Sequence, residues 1–477
     1  MKYSIKKEFK GLLSHLLNVV SAIPINKLVS LTRIGSTDSL GDLINSEPAL
    51  NKLVDGIDLH APPGLAGEIC RDLSLFEQRA IACIRPLVAL MAMSFAGRSV
   101  MSFGGGNLRI FALAVAESAA GKEGHQTYLK MLFREMLLEP RIQTKPRSDK
   151  NIVEDIVMTE ETLYLIDEVH SILRQGLNKG AAAFESGMIS LLLELATSEN
   201  FIIPSKIRFN IANTIMTEIS RLENGPESDR KATELPRLKR IQNRLEEGWG
   251  EPFVSFLGYT TPINSHFIFT ETNIDQGLLA RFIILVAPEK REQFSFRSIT
   301  HPSGQIIEKL IEIQNSNTVI TMTRGASSAL QQVTDILERD EYLNHKTLGA
   351  LYARGRQAIV RVASVLAIDT RVIDEVHIKY GIALFLQNIA SSKNELNRKT
   401  DKIKDNMRGD AERILTNALE KGGPMKQSLL AVKLTNSSML IREAKKTKPN
   451  LCYELIDEFV KNGIILVKDN LVMLNLK

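Results

Sequence analysis

The sequence predicts an α/β protein in which helices flank a parallel sheet. Its 477 residues are too many for one ordinary hydrophobic core, which favours two or three domains. From Leu108 onward, short apolar runs alternate with longer amphipathic segments, and this alternation is typical of strands and helices in such a fold. Four of the runs are predicted strands, at residues 108–115, 162–166, 253–258 and 282–286.

The composition is that of a globular protein with a slightly basic charge balance. Hydrophobic residues make up 44% and charged residues 24% of the chain, which excludes large-scale disorder. Sixty basic against 55 acidic residues give a formal charge of +5, a weak indication of polyanionic partners. Cys70, Cys83 and Cys452 have neither paired nor metal-ligand spacing, so we expect reduced thiols in a cytoplasmic protein.

Residues 1–100 are predicted to form an N-terminal helical region. Lysines precede an apolar stretch at 11–23, as in a signal peptide, but His15 and Asn18 interrupt it and its leucines share one helical face. We therefore expect an amphipathic helix there. A second apolar stretch, at 80–97, contains Arg85, whose charge is costly in a bilayer, so it predicts a buried helix and no membrane span.

Two further regions follow the predicted sheet. Residues 301–400 are helical in pattern, and the hydrophilic stretch 391–406 indicates a linker or an exposed helix. In residues 408–477, helices at 411–419 and 451–462 precede two short strands at 464–467 and 471–474. Helices followed by a hairpin predict a winged helix, which often binds DNA, although a domain for protein contacts is the alternative.

A loop of small residues follows the first predicted strand. It ends at Gly121 and Lys122 and leads into an amphipathic helix, which is the context of a phosphate-binding P-loop. Small residues let backbone N–H groups close on phosphate oxygens, the helix N-terminus adds positive potential, and the lysine reaches the outer phosphates. The predicted nucleotide-binding residues are Ser118, Ala119, Ala120, Gly121, Lys122, Glu123 and Gly124.

Two residues depart from the P-loop pattern. Ala116 stands where the pattern has its first glycine, and Glu123 stands where a serine or threonine would offer a hydroxyl to magnesium. A Gly-Lys pair in a loop is by itself weak support for a nucleotide site. With Glu123 in that place, magnesium would depend on Asp167 and water.

Two adjacent carboxylates, Asp167 and Glu168, end the second predicted strand, 45 residues beyond Lys122. In a P-loop ATPase the first acid holds magnesium and the second polarises the attacking water. A surface turn is the alternative, but Asp167 follows four apolar residues. His170 is interpreted as packing or facing solvent. Loop and acids together predict an ATPase that uses ATP and Mg²⁺.

These pieces, spread over residues 62–391, resemble the AAA+ replication ATPases of phages, plasmids and chromosomal islands, a group similar to the minichromosome maintenance helicases. The resemblance implies an AAA+ P-loop core at residues 101–300 and a helical lid at 301–400. It also implies a ring of identical subunits, most often six, acting on DNA in the cytoplasm of a bacterial host.

Two segments of the core carry part of the likeness. Residues 253–262 resemble the sensor 1 strand, so Thr260 or Thr261 would position water or touch the γ-phosphate, although a turn before Pro262 is the alternative. Residues 277–282 resemble the motif of the arginine finger, which implies that Arg281 reaches ATP on the neighbouring subunit. A helix-end arginine that caps carbonyls is the alternative.

Arg354 and Arg361 resemble the lid helix that carries sensor 2. Their spacing of seven places both on one helical face, which allows a γ-phosphate contact by Arg354. Arg356 could take that role instead, or the arginines could be solvated.

The charged segment 221–250 predicts a solvated helical hairpin or loop. The resemblance places this segment where such helicases carry hairpins that project into the pore of the ring. Lys239 and Arg240 would then contact DNA backbone phosphates, which gives affinity without sequence preference.

The sequence thus predicts an ATP-dependent DNA helicase or translocase that replicates a mobile genetic element. A replication initiator or helicase loader that uses ATP as a switch without unwinding is the alternative. A site-specific DNA-binding regulator with an inactive ATPase is a second one. The sequence has no zinc-ligand cluster or other primase signature, so any primase would be a separate partner chain.

Overall fold

The protein divides into two compact units, Met1–Lys393 and Asn394–Lys477. The computed structural model describes residues 48–77, 81–146, 148–177, 183–197, 201–248, 252–265, 268–270, 273–274, 277–287, 297–468 and 471–475. The amphipathic helix predicted at 11–23 lies outside these residues.

A parallel sheet of five strands forms the centre of the first unit, as the sequence predicts. Its spatial order is β2-β3-β4-β1-β5. Three strands, β1, β3 and β4, are almost entirely buried, because helices cover both faces of such a sheet. The strands are β1 (Phe111–Val115), β2 (Ile142–Gln143), β3 (Glu161–Ile166), β4 (Phe253–Thr260) and β5 (Ile283–Val286).

The strand ends differ in detail from the prediction. The first strand begins at Phe111 and not at Leu108, because the backbone N–H of Ile110 donates to the side-chain hydroxyl of Ser255 in β4, at 3.1 Å, and not to a backbone carbonyl. The strand predicted to end at residue 258 continues to Thr260 as β4. The two-residue strand β2 was too short to show a periodic pattern.

Helices of the first unit before β4 include one that is nearly fully buried. This helix, α2, has every residue from Pro86 to Ala96 buried, which confirms the buried helix predicted there; Arg85 lies at its first turn. None of the described helices is both long and apolar enough to cross a membrane. The helices are Pro48–Asn51, α1 (Leu65–Phe76), α2 (Arg85–Ala96), α3 (Lys122–Glu135), α4 (Asp149–Thr159), α5 (His170–Leu177) and α6 (Ala183–Leu195).

A hairpin of two helices, α7 (Ser205–Glu223) and α8 (Asp229–Glu247), precedes β4. Its apolar residues form one stripe on each helix, and the two stripes include the buried Ile215 and Ile241. The predicted helical hairpin is therefore present, but it begins some sixteen residues before Arg221. We call these two helices the α7–α8 hairpin.

The rest of the first unit is mainly helical. A short parallel pair of strands, β6 (Thr321–Met322) and β7 (Val372–Ile373), accompanies these helices. The helices are Pro262–Ser265, α9 (Gly304–Gln314), α10 (Arg324–Leu337), Asp340–Leu343, Gly349–Tyr352, α11 (Gly355–Leu366) and α12 (Glu375–Gly422), which continues into the second unit.

The second unit packs helices against a small antiparallel sheet. The hydrophilic stretch 391–406 is helical, because it lies within α12, and the boundary between the two units falls inside it. Among its described side chains, Ser391, Ser392 and Glu395 are buried, whereas Lys393 and Asn394 are exposed. A core around Leu430, Ile456 and Phe459 holds the unit together. Its other elements are β8 (Met425–Lys426), α13 (Gln427–Ser437), α14 (Met439–Thr447), α15 (Leu451–Lys461), β9 (Ile465–Lys468) and β10 (Leu471–Leu474), with sheet order β8-β10-β9.

A glycine in α1 tests the packing of the first unit. A Cβ atom added at Gly67 would collide with the backbone carbonyl of Pro62, whereas one at Gly409 in α12 would meet nothing. We expect Gly67→Ala to destabilise the protein by about 1–3 kcal/mol through overpacking. Gly409→Ala should stabilise it by about 0.5–1 kcal/mol, since alanine favours helix. Urea unfolding followed by circular dichroism measures both, and equal effects would contradict the packing of α1.

Candidate functional site

The loops after β1 and β3 lie on either side of the carboxyl end of β4. The register pairs Val115 with Thr260 and Ile166 with Gly258. Backbone hydrogen bonds extend both loops along β4, from Ala116 N to Thr260 O at 3.0 Å and from Val169 N to Tyr259 O at 2.9 Å. Since neighbouring strands lie about 4.8 Å apart, the two loops face each other across about 10 Å.

This edge is also where the strand order changes direction. The chain leaves β1 for β2 and β3 on one side, and after β4 it crosses to β5 on the other side. In open parallel sheets, ligands bind outside the carboxyl ends of the strands at such a point, because the diverging connections leave a crevice. The loop after β1 therefore occupies the position in this sheet that is best suited to a ligand.

The loop after β1 has a tightly turned backbone. Ala119 has φ 58° and Gly121 has φ 98°, both left-handed, and Gly121 is the residue before α3 begins at Lys122. A glycine adopts this conformation without the steric cost that a Cβ atom brings. The side chains of Ser118, Ala119 and Glu123 are exposed, whereas Ala120, Gly121 and Gly124 are half-buried. The exposed part of the loop thus contains small residues and the N-terminus of a helix.

The side chain of Lys122 folds back over its own loop to the end of β1. Its Nζ donates a hydrogen bond to the Ala116 carbonyl at 3.2 Å. Partial burial lowers the pKa of the ammonium group, and the carboxylates of Asp167 and Glu168 act in the opposite direction. The register of β1, β4 and β3 brings the loop of the lysine and the loop of the two acids to the same edge of the sheet.

Asp167 and Glu168 are both exposed at the end of β3. The backbone N–H of Glu168 donates to Asp167 Oδ1 at 3.0 Å, and Glu168 has φ 51°. A left-handed conformation costs a non-glycine residue about 1–2 kcal/mol. Such strain persists only where the surroundings fix it, and it is common at ligand sites.

The two threonines after β4 have different surroundings. Thr260 is 1% exposed, and its hydroxyl lies 3.3 Å from Nδ1 of His170. The hydroxyl of Thr261 is half-buried and accepts a hydrogen bond from Asn264 at 3.1 Å. Thr260 therefore lies between the two loops, as its prediction requires. Its hydroxyl contacts a histidine that the sequence analysis had interpreted as packing or facing solvent.

A buried ionic cluster supports α3 beneath the loop. Glu77 pairs with Arg85 at 3.0 Å and also contacts His125, which lies one turn after Lys122 and is fully buried. Burial, together with the charges of Glu77 and Asp167, raises the pKa of the adjacent Tyr259. Sequence alone does not reveal this cluster, because Glu77 and His125 are 48 residues apart in the chain. The sole signal was a histidine on the apolar face of α3.

Arg281 and Arg354 lie together at the opposite edge of the sheet. Both line one cleft with Arg361, beside the amino ends of β1 and β5 at Phe111 and Ile283. Burial and the charge of Arg354 lower the pKa of Arg281, whose Nη1 donates to the Gly277 carbonyl at 2.7 Å. Five residues of β1 separate this cleft from Ala116, which is about 17 Å.

This position limits what the arginines can contact. A cleft at the amino edge opens away from the loop of Lys122 in the same chain. Arg354 and Arg361 share the cleft, as their spacing predicted, whereas the alternative candidate Arg356 is exposed and does not line it. The three arginines give this cleft a cationic lining.

Lys239 and Arg240, the predicted DNA contacts, lie on α8 and are both paired. Lys239 Nζ lies 2.6 Å from Glu223 Oε1. Arg240 donates two hydrogen bonds to the carboxylate of Glu160, at 3.1 and 2.5 Å. A phosphate would have to compete with these carboxylates for both cations.

Comparisons with known proteins add no identification: no protein-family model matches the chain, and a search of curated proteins finds no match.

The shared site of Lys122 and the acids can be tested without any ligand. We expect Asp167→Asn to lower the pKa of Lys122 further, because the substitution removes a carboxylate that stabilises the ammonium form. The pH dependence of Lys122 acylation by an amine-reactive reagent, followed by mass spectrometry, measures this shift. The labelling midpoint should move to lower pH.

Glu139→Gln is the control for this shift. Glu139 pairs with the exposed Arg134 and does not act on Lys122. An unchanged midpoint in Asp167→Asn, or equal shifts in both variants, would show that lysine and acid do not share a site.

Proposed function

We propose that the chain is an ATP-hydrolysing P-loop motor of the AAA+ type that acts as a ring on DNA. The observation that carries this proposal is the convergence of Lys122 with Asp167 and Glu168 at the carboxyl edge of the sheet. A triphosphate in the crevice between the loops would meet backbone N–H groups, the start of α3 and the ammonium group on one side. It would meet the acids on the other.

The acids fit a magnesium ion bound together with phosphates. Magnesium takes one or two carboxylates and completes its coordination with substrate phosphates and water. Asp167 is exposed towards the crevice edge, and one of its oxygens is held by the N–H of Glu168. The ion would contribute charge stabilisation to the transferring phosphoryl group. Glu123, exposed at the start of α3, supplies no hydroxyl for this role.

Three side chains have distinct roles in the proposed reaction. Lys122 would leave the Ala116 carbonyl and bind the outer phosphates as a point charge. Glu168 would orient the attacking water and accept its proton. Thr260 lies between the loops and hydrogen-bonds His170, so this pair would sense the γ-phosphate from the end of β4.

The arginine cleft supports an assembly of several subunits. Because Arg281 and Arg354 lie at the opposite edge from Lys122, they would reach the triphosphate of a neighbouring subunit and not their own. A head-to-tail interface of this kind forms a ring when the rotation from one subunit to the next, repeated, returns to the first subunit. An arginine supplied in this way stabilises the charge of the transferring phosphoryl group. We propose six subunits by resemblance to related replication ATPases.

The second unit would serve as a winged-helix domain. Its helices α13, α14 and α15, followed by the hairpin of β9 and β10, support this proposal, because a winged helix combines such helices with a hairpin. The unit has 16 lysines and arginines against 11 acidic residues, an excess equal to the formal charge of the whole chain. This excess favours contact with DNA. In the proposed motor the domain binds duplex DNA or recruits a replication partner such as a primase.

Hydrolysis and binding should respond differently to two substitutions. We expect Lys122→Ala to lose both ATP affinity and turnover, since the phosphates lose their cation. Glu168→Gln should retain ATP binding and lose about 10²–10⁴-fold in turnover, since the proton acceptor is removed. The measurement is ATPase activity with and without single-stranded DNA, together with binding of a fluorescent ATP analogue.

Asp149→Asn, which changes a half-buried acid at the start of α4, is the control for these variants. Turnover that persists in Lys122→Ala would contradict the proposal. DNA-stimulated turnover without unwinding of a forked duplex would instead favour an initiator or loader.

The trans role of Arg281 predicts rescue in mixed assemblies. Arg281→Ala alone should lose about 10³–10⁵-fold in turnover. Mixed with Lys122→Ala protein, it should recover part of the activity, because some interfaces then combine an intact Lys122 with an intact Arg281. ATPase activity at several mixing ratios measures this recovery. Mixtures that stay as inactive as either variant alone would refute a trans arginine.

A further inference from the structure

The first turns of α7 present an exposed aromatic residue beside two cations. Phe209 is 65% exposed, and Met216, seven residues later on the same helix, is 44% exposed. Lys206 and Arg208 are also exposed. We call Lys206, Arg208, Phe209 and Met216 the α7 face. Phe209 and Met216 lie away from the buried apolar stripe that packs the α7–α8 hairpin, whereas the exposed Arg208 lies one turn before Ile211, at the N-terminal end of that stripe.

The cations of the second helix have carboxylate partners. Four ion pairs in or next to α8 have N–O distances of 2.5 to 2.9 Å. Their carboxylates compensate much of the basic charge of α8. These pairs are Lys231–Glu227, Arg237–Glu234, Lys239–Glu223 and Arg240–Glu160.

The two cations of the α7 face have a different environment. No acidic residue occurs between residues 201 and 217 of the sequence. In the part of the chain that the structure describes, neither Lys206 nor Arg208 has a carboxylate within 4.0 Å, whereas Lys231, Lys239 and Arg240 are paired at 2.5 to 2.9 Å. Their charge is therefore available to an outside anion, whereas that of Lys239 and Arg240 is already compensated.

An exposed ring beside unpaired cations matches the chemistry of one ligand class. Single-stranded nucleic acids present phosphates to lysine and arginine, and their unpaired bases stack on aromatic side chains whatever the sequence. A duplex hides the faces of its bases, so it would use the cations and not the ring. A protein partner would gain from Phe209 and Met216 but would leave the two cations without a counter-charge.

We propose that the α7 face is a binding site for single-stranded DNA, with Phe209 stacking on a base and Lys206 and Arg208 contacting backbone phosphates. The ten residue steps from Lys206 to Met216 rise about 15 Å along the helix, which is enough for a short stretch of strand. This assignment rests on the proposed function and moves the DNA contact of the hairpin from Lys239 and Arg240 on α8 to α7.

Two double variants compare the cation pairs directly. Fluorescence anisotropy of the full-length protein with a labelled oligo(dT) strand is measured between 50 and about 300 mM salt, a range in which phosphate contacts weaken steeply. Lys206→Ala with Arg208→Ala should reduce the slope of log affinity against log salt by about 1.4, or 0.7 for each lost phosphate contact. Lys239→Ala with Arg240→Ala should change it much less, because those cations are already paired.

Substitutions at Phe209 test the stacking. Phe209→Ala should weaken oligo(dT) binding by about 5- to 150-fold without changing the salt slope, while Phe209→Tyr should restore most of the affinity, since it keeps the ring. Phe103→Ala is the matched control, because Phe103 is also exposed, at 40%, but lies in the loop before β1. It should bind as the parent does. Circular dichroism checks that each variant is folded. We expect the Phe209 variants to fold, because the side chain is exposed and its loss leaves no cavity.

Three results would overturn the assignment. The first is unchanged DNA affinity in both the Phe209→Ala and the Lys206/Arg208 variants. The second is an equal loss in Phe103→Ala. The third is a change in sedimentation of the α7 variants with unaltered DNA binding, which would make the face a contact between copies of the chain. None of these results bears on the ATPase proposal, which is tested by the turnover of Lys122→Ala. Persistent turnover in Lys122→Ala would refute the motor, whatever the α7 variants show.

Discussion

The position of β4 between β1 and β3 is the constraint on which the rest of the site depends. Backbone hydrogen bonds tie the loop after β1 and the loop after β3 to the same strand end, at Thr260 and Tyr259. The two loops are thereby held about 10 Å apart, the width of two strand spacings. The lysine of one loop and the acids of the other can share a ligand because the sheet fixes this gap.

The same sheet separates two kinds of charge. The carboxyl edge brings Lys122 together with acids, while the amino edge gathers Arg281 and Arg354 in a cleft about 17 Å away along β1. A subunit with complementary charges at opposite edges is suited to meet its own copy head to tail. Nucleotide chemistry and assembly would then depend on one another in the proposed motor.

Local patterns in the sequence were sufficient for much of the fold. Strands β1, β3, β4 and β5 are mainly apolar runs. Helix α2 is a short apolar stretch that begins with the charged Arg85. The loop of Lys122 and the acids at 167 and 168 are likewise local, because each follows a strand directly. Sequence could not give the boundary of β1, which depends on the Ser255 hydroxyl 145 residues away.

Contacts between distant residues account for what the sequence did not reveal. His170 contacts Thr260 because β3 and β4 are neighbours, and Glu77 meets His125 because α1 and α3 pack together. Composition likewise marked segment 221–250 as basic, but Lys239 and Arg240 are paired with carboxylates, whereas Lys206 and Arg208, earlier in the chain on α7, have no carboxylate partner among the described residues. Charge counted along a chain does not show which charges are compensated in space.

A crystal structure with magnesium and a slowly hydrolysed ATP analogue tests the central claim most directly. We expect Lys122 Nζ to leave the Ala116 carbonyl for an oxygen of the outer phosphates, with Asp167 on the metal or on one of its waters. A nucleotide bound elsewhere, or a lysine that still contacts Ala116 while the acids lie apart from the phosphates, would contradict the account.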